Sequence, residues 1–554
     1  MTTHTATMSG GEAMVRATLA NGVTTVFGIP GVQTYTIYDA IARLGVQSIV
    51  TRHEQAAAYM ALGYARATGK PGVFTVVPGP GVLNAGAALL TAMGTNAPVL
   101  CLTGQVPSAF LGKGRGHLHE MVDQTATLKG IIKDAWRLTD PRDASAVINN
   151  AFRVMQSGRP GPVSVEMCWD TLDKPRDAVV IGPGNTQIDK PALDQEQVDR
   201  AVKALASARF PMIMCGGGAQ HASAEVLALA DALQAPVTAF RSGRGVVAED
   251  HALGVSSVAA RELFDKVDVL VGVGTRLEMI YLRWRNMGLY ERKPAGGPLL
   301  IRIDIDPAEM TRFEPDIAIV ADSAVACRAL AEALAGSHRS DLARRGAIAA
   351  AKALAQRQTQ EIQPQVAYLD AIRAVLPRDG FFVPEVSQMG FAAYMSFPVY
   401  TPRTFVTEGY QGTLGFGFMT ALGVKVACPD RAVVSITGDG GFLFGVQELA
   451  TAAAYGIGLV TVLFNNHSYG NVRRDQIERF EGRIAGGDLK NPNFMRLAES
   501  FGVAAARVST PQGLRAELAS AIATGKPALI EVDQPRGVET SPWPLIHMNK
   551  KPWA

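Results

Sequence analysis

Cysteine is scarce in this sequence: Cys101, Cys168, Cys215, Cys327 and Cys428 are the only five in 554 residues, far apart and without a CxxC pair. Each stands beside apolar or small residues, so they read as reduced, buried thiols and exclude a disulfide or zinc framework. An excess of one charge is also missing. Lys+Arg total 53 against 50 Asp+Glu, a formal net charge of +3, which offers no basic face to nucleic acid or a membrane and points to a small-molecule partner. No apolar run reaches the roughly 18 residues that a membrane span needs. The N-terminus, MTTHTATMSGGEAM, lacks the basic start and apolar core of a signal peptide, and a cytoplasmic protein is the expectation. Low-complexity segments and short-period repeats are absent as well.

What the sequence has instead is length and glycine. At about 150 residues per domain, 554 residues imply three or four domains. The 56 glycines exceed the usual share of about 7% and imply many tight turns or ligand-approach loops. Short apolar runs alternate with helical patterns almost throughout, the mark of parallel sheets covered by helices. In the first unit a helix around Glu12 to Asn21 precedes strands at Val23 to Phe27, Gly72 to Val77 and Val99 to Leu102, and the unit ends near Pro162 to Met167. Residues 173–193, rich in Pro, Gly, Asp and Asn, read as a linker. A second unit carries predicted strands at Met212 to Cys215, Ala235 to Thr238, Val267 to Val273 and Leu299 to Ile305, closed by a helical stretch from Asp322 to Leu354. A third starts near Gln363, with predicted strands at Arg403 to Val406, Ala432 to Ile436, Leu459 to Phe464 and Ala528 to Val532. The expected fold is therefore α/β, with three doubly wound parallel-sheet domains at 1–175, 190–345 and 360–554.

The most specific motif lies in the third unit. The strand AVVSIT runs into Gly438-Asp439-Gly440-Gly441, a helix follows from Val446 to Ala454, and the strand LVTVLF ends in Asn465-Asn466, so that 24 residues separate GDG from NN. In a βαβ unit both segments fall at the carboxyl ends of neighbouring parallel strands, where open α/β sheets bind ligands. One carboxylate from Asp439, one amide oxygen from Asn466 and a carbonyl from the following turn, that of Ser468, make an oxygen site for Mg²⁺. Such a site leaves room for two diphosphate oxygens and water. Glycine lets backbone N–H groups approach the phosphates.

GDG followed at this spacing by NN resembles the diphosphate and Mg²⁺ signature of thiamine diphosphate enzymes. The whole chain, in three blocks, resembles the large subunit of acetolactate synthase and its relatives, which include pyruvate oxidase, benzaldehyde lyase, oxalyl-CoA decarboxylase and 2-hydroxyacyl-CoA lyase. GIPG at 28–31, RHEQAAAYMALGYAR at 52–66, GPG at 79–81, GPVSVEM at 161–167 and GTLGFGF at 412–418 carry the resemblance. It implies pyrimidine-binding, central and diphosphate-binding domains, thiamine diphosphate and Mg²⁺ as cofactors, and metal ligation by Asp439, Asn466 and Ser468. By the same resemblance Glu54 is the catalytic glutamate that hydrogen-bonds N1′ of the aminopyrimidine, so that the cofactor's own 4′-nitrogen removes the C2 proton. Leu414 supports the bent cofactor. Pro30, Pro80 and Asn84 lie on the pyrimidine side, while Gly412, Gly438, Gly440, Gly441, Ser468, Tyr469 and Gly470 line the thiazole and diphosphate. Because Glu54 and Asp439 belong to different units, the family's arrangement places one cofactor between two chains. At least a homodimer is implied, and tetramers are common in the family.

The chain departs from acetolactate synthase at several points. NNHSYGNVRRDQ places Asn471 and Asp475 where those enzymes carry Met and Trp, and GQVPSAFLGKGRGHLHEMVDQ places Leu118-His119 where they carry Phe-Gln. His119 becomes a candidate catalytic proton donor or acceptor, with His117, Lys113 and Arg115 on the same loop as weaker candidates. Gly216-Gly217-Gly218, Gly274-Thr275-Arg276 and Asp304-Ile305-Asp306 resemble nucleotide-binding turns. GTRLEMIYLRW departs from the FAD-bearing pattern, which argues against FAD and leaves ADP or no ligand. The tail SPWPLIHMNKKPW, with Trp543, Pro544, Leu545, Lys550, Lys551 and Trp553, suits a segment closing over the site. The expected activity is acetolactate-synthase-like decarboxylation and carboligation. The alternatives are a lyase of the 2-hydroxyacyl-CoA or oxalyl-CoA type and, from a different class, a non-catalytic cofactor-binding subunit.

Overall fold

A computed structural model describes residues 4–184, 188, 190–278, 297–312, 314–336 and 341–546. Three parallel sheets organise it, each with its inner strands buried and helices on its faces, as apolar runs without alternation require. The first sheet has six strands in the order Gln47–Val50, Thr25–Gly28, Gly72–Val76, Val99–Gln105, Val163–Cys168, Asp134–Leu138. Its topological switch lies between Thr25–Gly28 and Gly72–Val76, and the loops Gly28–Gly31 and Gly79–Gly81 emerge from that crevice. The central sheet runs Gly254–Val255, Val237–Ala239, Pro211–Cys215, Val269–Val273, Leu299–Asp304, Ile317–Val320. The third has five strands, Phe381–Pro384, Val433–Gly438, Val460–Asn465, Ala528–Asp533 and Ala504–Val508.

Two sequence readings are corrected. The supposed linker contains a strand, Arg176–Ile181, which pairs antiparallel with His4–Met8; its Val179 and Ile181 are buried against the first unit and outweigh the polar composition. Arg403 to Val406 is no sheet strand: a single bridge joins Phe405 to Phe382. Phe405 instead packs with Phe382 and Phe397 in a stack of aromatic rings.

The first and third units share one apolar core, which runs from Phe27 and Ala56–Leu62 to Phe416–Leu422 and Leu463. Helix Glu54–Thr68 is buried on almost every side, so its alanine-rich sequence is a core pattern. It crosses helix Phe416–Ala427 at two glycines. A Cβ on Gly63 would stand 2.1 Å from the Thr420 carbonyl oxygen, and one on Gly423 would stand 2.0 Å from that of Met60. The two backbones therefore touch. No helix among the described residues is long and apolar enough to cross a membrane.

Candidate functional site

Gly438 pairs with Phe464 across neighbouring strands, which brings Asp439 and Asn465-Asn466 to the same sheet end. Asp439 opens the short helix Asp439–Phe442 and is 2% exposed. Asn491 donates to its Oδ2 (2.6 Å) and also to Asn465 Oδ1 (2.8 Å). Burial raises the Asp439 carboxyl above its ordinary value, and among the described residues no Lys or Arg forms an ion pair with it. Such a carboxylate is stabilised by a cation.

The two asparagines divide their tasks. Asn465 is an anchor, since its amide donates to Glu531 (2.7 Å). Asn466 donates to Glu539 (2.5 Å), which turns its Oδ1 toward the Ser468 N–H (3.1 Å) and hydroxyl (3.0 Å). No group of three or more His, Cys, Asp or Glu among the described residues can hold a metal by itself. A cation at Asp439 therefore needs amide, carbonyl and ligand oxygens. Tyr469 lays its ring on Gly440, where a Cβ would be 2.3 Å from ring carbon Cε1, and Gly470 packs against Gln388. Gly412 takes φ +59 with open space around it, beside half-buried Leu414.

Glu54 begins its helix directly after the cap His53, whose ring accepts from the Gln55 N–H. Asn84 donates to Glu54 Oε2 at 3.0 Å, leaving Oε1 for another donor. Gly81 lies beside the Glu54 side chain, while Pro30, Pro80 and Asn84 are exposed around it. No hydrogen bond among the described residues joins Glu54 to the Asp439 cluster. Exposed apolar side chains occur in both units: Leu83, Leu118 and Val122 in the first, Tyr410, Leu443 and Phe444 in the third.

His119 lies on the first unit's side, within reach of the Glu54 charge. Its carbonyl oxygen would lie 2.6 Å from a Cβ on Gly79, its φ is +64, and its Nδ1 is 2.8 Å from Gln33 Oε1. With His117, Pro80 and Met121 it lines a cavity of about 510 Å³. Burial lowers the His119 pKa, and the charge of Glu54 acts in the opposite sense. Glu120 organises the loop by accepting from the Gly114 and His117 N–H groups. His117 packs on Phe110; Lys113 and Arg115 are exposed and form no ion pair among the described residues.

Several residues that position the site carry no local sequence signal. Gln124 accepts from the Gly79 N–H (2.8 Å) and donates to buried Glu166 (2.7 Å), which Arg137 also reaches. Glu385, with its pKa pushed up to about 8 by burial, accepts from the N–H groups of Gly415 and Gly417 and so fixes the turn after Leu414. Glu448, fully buried in the third unit, accepts from the Arg52 N–H (3.0 and 3.1 Å) and the Thr451 hydroxyl (2.6 Å), and the Tyr455 hydroxyl accepts from the Val50 N–H (2.9 Å). The third unit thereby grips the corner that presents Glu54. Glu448→Ala is expected to leave buried donors unpaired and to destabilise the protein by about 2 kcal/mol, read by denaturant unfolding against Glu448→Gln, which retains one acceptor.

The tail crosses the third unit beside the turn that carries Asn466 and His467. Arg536 donates to the His467 carbonyl (2.8 Å) and Trp543 Nε1 to Asn471 Oδ1 (2.7 Å), while the Trp543 ring packs on Phe391. Lys550, Lys551 and Trp553 lie outside the described residues, as does most of the stretch GTRLEMIYLRW. In the central unit the three glycine and aspartate turns converge on a cavity of about 370 Å³, lined by Gly217, Gly274, Thr275, Arg276, Asp304 and Asp322. Arg276 lies over the Tyr410 ring at 4.6 Å, linking this cavity to the third unit.

Three family models match the chain: the N-terminal TPP binding domain of thiamine pyrophosphate enzymes at residues 8–127, the central domain at 198–330 and the C-terminal TPP binding domain at 385–532. The chain is 35% identical over 520 residues to a probable 2-ketoarginine decarboxylase of Pseudomonas aeruginosa, covering 92% of this chain and 90% of that protein. It is 34% identical over 554 residues to a probable acetolactate synthase large subunit of Methanocaldococcus jannaschii (95% and 92% covered). To the acetolactate synthase isozyme 3 large subunit of Escherichia coli it is 31% identical over 539 residues (93% and 92%). With three family models matched in succession along the chain, GDG and NN at neighbouring strand ends and relatives matched over nearly their whole length, the chain belongs to the thiamine pyrophosphate enzymes and resembles acetolactate synthase.

Proposed function

We propose that the protein uses thiamine diphosphate and Mg²⁺ to break and make a carbon–carbon bond next to a carbonyl, by decarboxylation of a 2-oxo acid and carboligation of the acetolactate-synthase kind. The observation that carries this reading is the buried Asp439 carboxylate, which no Lys or Arg among the described residues pairs with, at the same sheet end as Asn466 and Ser468. This donor set fits a diphosphate-bound Mg²⁺: Asp439, the Asn466 amide oxygen and the Ser468 carbonyl hold the cation, and the glycine turns give the phosphates access to backbone N–H groups. When bound, the cofactor supplies a carbanion equivalent and an electron sink. Glu54 would hydrogen-bond the pyrimidine through the oxygen that Asn84 leaves open, Pro30, Pro80 and Asn84 would lie on the pyrimidine side, and Leu414 would support the bent cofactor. Gly412, Gly438, Gly441 and Gly470 line the thiazole and diphosphate. His119 moves a proton at the substrate, and the tail from Arg536 to Ile546 covers the half-site and limits water.

The working unit in this reading is at least a homodimer. Its two composite sites each pair Glu54 of one chain with Asp439 of the other, and exposed apolar side chains in both units supply the matching surfaces. All five cysteines are free thiols, which suits the cytoplasm. In this reading the central cavity takes an ADP-like ligand or none, and not FAD. A second reading, lyase action on a 2-hydroxyacyl-CoA, is favoured by the exposed Lys113 and Arg115 beside the His119 cavity, since both suit an anionic carrier.

Incubating the protein with thiamine diphosphate, Mg²⁺ and a panel of 2-oxo acids is expected to release CO₂ and to form an acyloin-type product, with loss of turnover on chelation. Aldehyde release from a 2-hydroxyacyl-CoA, with no CO₂ from any 2-oxo acid, would instead select the lyase reading.

A further inference from the structure

We propose that Gln33 is a positioning residue that fixes the tautomer of His119, making Nε2 the proton acceptor for a hydroxyl on the reacting carbon of a 2-hydroxy ketone or 2-hydroxyacyl substrate. The proton step rests on the function proposed above; the tautomer does not. Gln33 lies in the turn Val32–Thr34, 1% exposed. Gly104 packs against it so closely that a Cβ there would stand 2.4 Å from the Gln33 carbonyl oxygen and 2.8 Å from its Cβ. The side chain thus has a fixed seat.

Both ends of its amide are engaged. Nε2 donates to the Leu118 carbonyl at 2.9 Å, and Oε1 lies 2.8 Å from His119 Nδ1. Because the Leu118 carbonyl only accepts, the NH₂ group must face it and the amide oxygen must face the ring. Nδ1 then carries the hydrogen. In the neutral imidazole, Nε2 is left with a lone pair and has no hydrogen-bond partner among the described residues. The left-handed backbone of His119, at φ +64 in a residue with a side chain, is the sort of local strain that a surrounding structure retains at working sites.

The charged groups around the ring are few. Glu54, from the helix across the crevice, is the carboxylate whose charge acts on His119. Glu120, on the same loop, is turned to the Gly114 and His117 N–H groups. His117 packs on Phe110, and Lys113 and Arg115 are exposed. Among the described residues no group besides Gln33 hydrogen-bonds Nδ1.

In the bond-breaking direction the hydroxyl O–H bond breaks and its proton passes to Nε2. The O–H pair becomes the second carbon–oxygen bond of the released carbonyl, and the carbon–carbon pair would be taken up by the electron sink that thiamine diphosphate would supply once joined to the neighbouring carbonyl carbon. Carboligation is the reverse, with protonated His119 returning the proton.

The test is ¹⁵N NMR of protein labelled at histidine, with His119 assigned by its loss in His119→Gln. The wild type is expected to show a protonated Nδ1 and a bare Nε2 at neutral pH. Gln33→Glu places a carboxylate against Nδ1–H and is expected to raise the His119 pKa by about one unit or more, moving the acid limb of the kcat/KM profile by the same amount. Gln33→Leu is expected to lower kcat by about 10²-fold with KM and cofactor affinity nearly unchanged, and to add nothing in the His119→Gln background. An Nε2–H tautomer in the wild type, or an unmoved His119 titration in Gln33→Glu, would overturn the assignment. Losses that add across the double variant would overturn the proton step. A wild type that holds thiamine diphosphate yet turns over no 2-oxo acid, hydroxy ketone or hydroxyacyl compound would overturn the proposed function and the proton step with it, while the NMR result still decides what Gln33 does.

Discussion

Glu54→Gln is expected to lower turnover by about 10²- to 10⁴-fold, the usual contribution of a positioned proton-transfer group, with thiamine diphosphate and Mg²⁺ still bound. Asn84 holds one carboxylate oxygen of Glu54 and leaves the other open. The corner before it is clamped by Glu448 and Tyr455, and the helix behind it is buried along its length. A glutamine at this place keeps the shape and can keep the bond from Asn84, so folding and dimer formation should be unaffected. What it lacks is an acidic proton to share with a ring nitrogen. Steady-state rates combined with fluorescence-quench titration of the cofactor separate the two effects. Equal losses in rate and cofactor affinity would assign Glu54 to binding alone.

The second large effect is structural. Gly423→Val is expected to cost about 3 kcal/mol or more, because the new Cβ meets the Met60 carbonyl at 2.0 Å and backbone cannot give way as a flexible side chain can. The helices forced apart are those that begin at Glu54 and just after Leu414, so cofactor affinity and stability should fall together. Gly346→Ala is the control. Gly346 lies exposed in helix Leu342–Gln360 with nothing within 4 Å, and alanine there should stabilise by up to about 1 kcal/mol. Scanning calorimetry of both variants distinguishes close packing from a general intolerance of side chains at glycine.

Those two glycines show what could and could not be read in the sequence. That Asp439 and Asn466 come to one sheet end was legible because a βαβ unit puts the turns of two neighbouring parallel strands side by side, which leaves a fixed spacing in one stretch of chain. The helix that begins at Glu54 was legible from its alanine-rich, apolar sequence, which the fold buries, whereas the role given to Glu54 came from the family resemblance. Gly63 and Gly423 are 360 residues apart, and neither has a local pattern that reveals the other. Glu448, Gln124, Glu385 and Gln33 escaped for the same reason: each acts across the fold on a backbone group or a ring, so a lone polar residue between apolar neighbours is its only trace. The polar composition around Arg176–Ile181 misled because two buried side chains are enough to seat an edge strand. The run Arg403–Val406 misled in the opposite sense, since its Phe405 is seated in an aromatic stack and not in a strand ladder.

The central claim is that the catalytic site is shared between chains, with Glu54 from one and Asp439 from the other. Co-expression of Glu54→Gln chains with Asp439→Ala chains tests it most directly. Each variant alone should be dimeric and nearly inactive. Random pairing makes about half of the dimers hybrid, and each hybrid holds one doubly defective site and one intact site. The mixture should therefore regain about one quarter of the wild-type specific activity. If Glu54 and Asp439 of the same chain served one site, no hybrid would contain an intact pair, and a mixture as inactive as its components would contradict the account.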